Sequence, residues 1–212
     1  MELDKKSKDL GKTLVKLFAK ELYIAGLLKE EELSDLEKVG SLIKEYILDH
    51  PDGIYMVTDH RETLYKKAKS LIDSNEVELA IVVYVMFFEH SINSVITRAL
   101  EKKEISKKSK NEILRSANLK AKLTWVLELL ELPKFNEKHV KFILQIADQR
   151  NAFVHYKFNA YNVNDDKTAP LIEILNEADK SAKYIKTYEA RVIYNGKKST
   201  VNKKLSNLGG KP

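Results

Sequence analysis

The chain has 212 residues, 43% of them hydrophobic and 32% charged, and carries a formal net charge of +6; that is enough for one substantial core with an appendage. It contains no cysteine, which excludes a disulfide framework, a thiolate nucleophile and a cysteine metal site, and suits a reducing cytoplasm. Only seven Gly and four Pro are present, which favours long helices over a strand-and-turn fold.

Met1 to Lys16 is charged throughout, unlike a secretory signal. Leu10, Leu14, Leu17, Phe18, Leu22 and Ala25 recur at helical spacing over Leu10 to Leu28. Lys29 to Asp49 continues with Leu33, Leu36, Ile43 and Ile47, with Ser34 as N-cap and Glu37 completing a capping box. His50-Pro51-Asp52-Gly53 breaks the pattern, so residues 1–57 read as an N-terminal helical hairpin. Thr58 or Asp59 caps a helix to about Ile72, and Asp73-Ser74-Asn75 is a turn. Glu76 to Lys103 is the longest helix, about 40 Å at 1.5 Å per residue. Its centre, Leu79 to Phe88, is apolar all round but too short to span a bilayer, and helical spacing resumes at Ile92, Val95, Ile96, Ala99 and Leu100.

Lys102 to Lys110 reads as a charged link. Asn118 to Leu132 holds a helix with the sole tryptophan, Trp125, expected in the core. Pro133 stops it, and Asn136 caps a further helix from Glu137 to Phe158. Asn159 to Lys167 is a polar loop; Thr168 and Pro170 open a last helix to Tyr194, ended by Asn195-Gly196. Residues 191–212 contain Arg191, Lys197, Lys198, Lys203, Lys204 and Lys211 and no acid, so the net positive charge resides there. Residues 195–212 read as a basic, disordered tail able to add salt-sensitive affinity for nucleic acid. The fold class is therefore all-α, an antiparallel helical bundle over 58–194 with the hairpin in front of it.

Two charges sit where apolar residues belong. Stepping about 100° per residue along Glu137 to Phe158 puts Arg150 amid Ile143, Ile146, Ala147, Phe153 and Val154. Glu89 likewise falls amid Val82, Val85, Met86, Ile92, Ile96 and Leu100. A guanidinium in an apolar stripe needs acceptors, so the two side chains are predicted to face each other within hydrogen-bonding reach. Arg150→Ala is then expected to cost about 3–5 kcal/mol. Asn93, one turn past Glu89, is expected to join them. Asn151 and His155 bring an amide and a titratable imidazole to the same helix end. His50, His60, His90 and His139 are scattered without ligand spacing, and no Gly-rich phosphate loop exists, so neither a metal nor a cofactor is expected. Periodicity alone favours the plainer reading of the same residues, a structural ion pair and a surface histidine ending a helix.

Arg150-Asn151-x-x-x-His155 resembles the R-x4-6-H signature of HEPN domains, and the resemblance spans roughly Thr58 to Tyr194. It implies a metal-independent endoribonuclease, often a toxin or phage-defence effector, in which Glu89 matches the acidic residue found near the motif. His155 would serve as general base or acid, Arg150 would stabilise charge on the phosphoryl oxygens, Glu89 would hold the guanidinium, and Asn151 would position substrate or histidine. It also implies a homodimer that brings two such sites together, an RNA substrate, and an antitoxin or defence-system partner, with no membrane. A silent HEPN-type module binding nucleotide, RNA or a partner protein is the alternative, and a purely structural helical adaptor a third. A related motif, R-x4-H-x-Y, marks toxins modified on tyrosine; here that position is Lys157, and Tyr156 and Tyr161 are the neighbouring tyrosines.

Overall fold

The computed structural model describes residues 2–49, 59–155 and 168–208, and among these every regular element is helical. In chain order they are α1 (Glu2–Ile24), a 3-10 turn (Glu30–Ser34), α2 (Leu36–Asp49), α3 (Arg61–Asp73), α4 (Val77–Lys102), α5 (Lys107–Ser116), α6 (Leu119–Leu123), α7 (Trp125–Leu129), α8 (Glu137–Val154), α9 (Thr168–Tyr194) and α10 (Lys198–Asn207). The chain divides into two compact units, Met1–Thr58 with Ile193–Pro212, and Asp59–Val192. The break at His50-Pro51-Asp52-Gly53 lies outside the described residues.

The first unit buries Ala19, Leu22, Ile24, Leu28, Leu33 and Val39 together with Val201, Leu205 and Leu208. The last three correct the expectation of a disordered tail. Val201 and Leu205 are one turn apart on α10, and α10 packs on α1 and the 3-10 turn. Lys197 and Lys204 ion-pair with Glu30 at 2.6 and 3.6 Å, so part of the basic charge is matched within the unit. The lysines of 197–204 suggested disorder; two apolar residues at the right spacing suffice for a short docked helix. Removing 197–212 would therefore remove a core element as well as charge. The cap of α2 is also displaced. Asp35, not Ser34, accepts from the Lys38 amide at 3.0 Å, because the 3-10 turn that buries Leu33 delays the helix.

In the second unit α4 is central, packing on α3, α5, α6 and α8 and burying Tyr84, Phe87, Phe88, Ile92 and Ile96 completely or nearly so. As a whole α4 is long and apolar enough to cross a membrane, with a mean hydropathy of 1.7, but 56% of that stretch is buried within the protein. That is how the core helix of a bundle behaves. From α9, Leu175, Ala178, Ala182, Ile185 and Tyr188 are buried. Polar ties join α3 to α9: Arg61 pairs with Glu189, Tyr65 donates to Asp179 at 2.7 Å, and the Lys186 ammonium stands 3.7 Å over the Tyr65 ring. Burial, with the Asp179 carboxylate beside it, pushes the Tyr65 hydroxyl up to about 12.

Two further expectations are corrected. The charged link contains the start of α5, capped by Ser106, whose hydroxyl accepts from the Ser109 amide at 3.2 Å. The helix read over Asn118 to Leu132 begins as expected, with Asn118 accepting from the Ala121 amide at 2.8 Å, but Thr124, at φ −123° and ψ −102°, splits it into α6 and α7. Beyond the split Val126, Leu127 and Leu130 occupy the core, which turns Trp125 outward at 55% exposure.

Candidate functional site

The local sequence sets α8 in place. Asn136 Oδ1 accepts from the Lys138 amide at 3.0 Å, and Ile143, Ile146 and Ala147 bury the inner face against α4. His155 is the C-cap, at φ −96° and ψ 15°, its amide donating to the Asn151 carbonyl at 3.1 Å. The helix thus ends at the motif histidine; Tyr156, Lys157 and Tyr161 lie outside the described residues.

The two stripe charges meet. Arg150 Nη2 donates to Glu89 Oε1 at 3.2 Å, but the side chains remain 28% and 37% exposed. The pair is half-buried rather than enclosed, which lowers the expected cost of breaking it. Water screens a pair of this exposure, so Arg150→Ala should cost about 1–2 kcal/mol, between the surface and buried limits. Urea unfolding checks this, and a loss of about 4 kcal/mol would show that the pair is desolvated in solution. Arg150 Nε and Asn93 Oδ1 are buried with no hydrogen-bond partner among the described residues. Asn93 therefore sits on the same face without completing the network through its amide oxygen. Asn151 and His155 are both exposed. The helix end thus presents an imidazole and an amide to solvent, five and one residues on from a guanidinium held by a carboxylate. Among the described residues no three of His, Asp and Glu cluster as metal ligands.

Two other histidines separate clearly. His90 is exposed. His139 is structural: its Nδ1 lies 3.0 Å from Ser181 Oγ, and its ring stacks on Tyr184 at 4.3 Å. Burial, reinforced by Lys138 and opposed by Glu177, holds His139 below its ordinary 6.5. The unfolded chain then binds the proton more readily, so this contribution is complete above pH ~6.5 and lost as pH falls towards the folded value. Urea titrations at pH 7 and 5 should show wild type losing stability on acidification, and His139→Phe losing less. An identical loss in both proteins would remove His139 as the cause.

Sequence reading overlooked Lys122. It is only 8% exposed, on α6, which packs on both α4 and α8. The signal was present, since Leu119, Lys122, Leu123 and Val126 share one helical stripe by spacing, but the lysine resembled its exposed neighbour Lys120. Burial pulls its ammonium below the usual lysine range, and the Glu89 carboxylate counteracts that.

No protein-family model matches this chain, and neither the curated proteins nor the solved structures yield a match to it.

Proposed function

We propose that the chain is a HEPN-type, metal-independent endoribonuclease working at the C-terminal end of α8. The observation that carries this reading is the Arg150–Glu89 pair at 3.2 Å on the helix that ends, five residues on, in the exposed His155. RNA self-cleavage chemistry asks for little more. A base removes the proton of a 2′-hydroxyl as that oxygen attacks the adjacent phosphorus. The bond to the 5′-oxygen breaks, an acid protonates the leaving oxygen, and a 2′,3′-cyclic phosphate and a 5′-hydroxyl result. An imidazole fills the base or acid role near neutral pH. A guanidinium already oriented by a carboxylate stabilises the charge growing on the phosphoryl oxygens without reorganising.

One chain supplies one such histidine, whereas the reaction uses a base and an acid. A homodimer that sets two α8 ends face to face would provide both, and Val154, 50% exposed beside His155, is apolar surface suited to that contact. A role in defence or as a toxin, with an antitoxin or other protein partner, belongs to the same reading.

The test is incubation of purified protein with total cellular RNA in EDTA, beside Arg150→Ala and His155→Ala controls. Cleavage leaving cyclic phosphate, lost in both controls and absent on 2′-deoxy substrate, is the expected result. Intact RNA, or cleavage that needs added Mg²⁺, would overturn the reading.

A further inference from the structure

Of the fourteen residues of α2, Val39 alone is buried. The helix packs on α1 and the 3-10 turn, which cover one flank of its apolar arc and leave the other open. Stepping about 100° per residue puts Leu36, Gly40, Ile43 and Ile47 on the open flank, at the alternating spacing of a helix seam. Leu36 is 51% and Ile47 47% exposed; Gly40 is exposed and Ile43 half-buried. Gly40 is an independent sign. Glycine inside a helix costs roughly a factor of five in helix formation against alanine, and a methyl group at this position would meet nothing within 4 Å. Among the described residues nothing asks for glycine there. A helix arriving from outside does, because backbones approach most closely where no side chain stands between them.

We propose that this stripe docks on the same stripe of a second copy of the chain, as an antiparallel pair of α2 helices about a two-fold axis. Charge selects both the partner and the direction. Glu37 and Lys44 are exposed and lie seven residues apart along the outer edge of the stripe. An antiparallel pair sets each Glu37 beside Lys44 of the second copy, twice over, whereas a parallel pair sets Glu37 beside Glu37 and Lys44 beside Lys44. The antiparallel register also lays Gly40 against Ile43 of the second copy, small against large, and Leu36 against Ile47. The stripe belongs to the first compact unit, so the contact is separate from that of the α8 ends and does not depend on the nuclease reading. Two short helices bury less than a standard interface, so the pairing is weak and concentration-dependent.

The chain contains no cysteine, so introduced cysteines report the register directly. Leu36→Cys and Ile47→Cys are made in the full chain, at exposed positions whose replacement leaves the core intact. Each is treated with a short bis-maleimide, alone and as an equal mixture, at about 100 µM chain, above the dissociation constant of a small interface. Covalent dimer, read on a denaturing gel, should be roughly ten-fold more abundant in the mixture than from either variant alone. An antiparallel pair sets 36 beside 47 and holds 36 from 36, and 47 from 47, about 16 Å apart along the helices. Adding Glu37→Lys to both variants should cut the mixed product roughly five-fold at low salt, and adding Lys44→Glu as well should restore it. Gly40→Ala favours the helix itself, yet it should lower the mixed product several-fold. Equal product in all three samples, product from one variant alone, no product in the mixture, or a charge reversal without rescue would each overturn the proposal. Gly40→Ala cross-linking as well as its parent would overturn it too. None of these outcomes bears on RNA cleavage, which reads the other unit.

Discussion

His155→Ala is expected to lose about 10²–10⁴ in cleavage rate while melting with wild type. The two halves of this result have different causes. On the proposed mechanism the rate falls because the imidazole is the group that moves the proton, and alanine has nothing to put in its place. Stability stays because the side chain is exposed and the capping contact, from its amide to the Asn151 carbonyl at 3.1 Å, belongs to the backbone. An exposed substitution that keeps its backbone bond usually changes stability by less than about 0.5 kcal/mol. Arg150→Ala should differ on both counts, losing cleavage and also part of the stability held by the Glu89 contact. Single-turnover cleavage with matched melting curves distinguishes the two. A His155→Ala protein that cleaves at the wild-type rate would remove the histidine from the chemistry and leave Arg150–Glu89 as a structural tie.

The residues that could be read in advance were those whose own helix revealed them. Glu89 and Arg150 each interrupt a long apolar stripe, and a wheel drawn on either helix finds the anomaly without knowledge of the other; the observed contact at 3.2 Å follows. Asn136, Asn118 and Asn195-Gly196 are equally local signals, and they mark helix ends where the structure has them. Degree of burial was not local. The wheel says that Arg150 faces the core, but α4 and α8 leave the pair 28% and 37% exposed. Trp125 faces outward because Val126, Leu127 and Leu130 fill the core beyond the break at Thr124, whereas Lys122 lies on the stripe of Leu119, Leu123 and Val126 and is buried with them. In α10 the lysines outweighed Val201 and Leu205 in the composition, although only spacing decides whether a segment docks. The α3–α9 ties escaped for another reason: Arg61 and Glu189 are 128 positions apart, and nothing in either segment names its partner.

That last pair carries the largest expected effect on stability. Arg61 donates through Nη1 to Glu189 and through Nε to Asp59 at 2.8 Å, while Glu189 itself is only 5% exposed. Burial alone would lower the arginine's proton affinity; its bonds to Asp59 and Glu189 outweigh that and raise it. Arg61→Ala therefore takes the arginine away from an enclosed carboxylate and should cost about 3–5 kcal/mol, against a typical total of about 5–15 kcal/mol. For a chain of this length that lowers the melting temperature by roughly 10 °C, at about 2–4 °C per kcal/mol. Arg61→Met with Glu189→Met should recover much of the loss, since apolar side chains of similar volume replace a buried pair at little cost, and a double-mutant cycle over the four proteins isolates the coupling. Cleavage by the Arg61→Ala protein, assayed well below its melting point, should match wild type, because neither residue lies on α8 or beside His155. An Arg61→Ala protein that melts with wild type at neutral pH would show the pair to be solvated, and α3 to be held on α9 by its other ties, Tyr65–Asp179 and Lys186 over Tyr65.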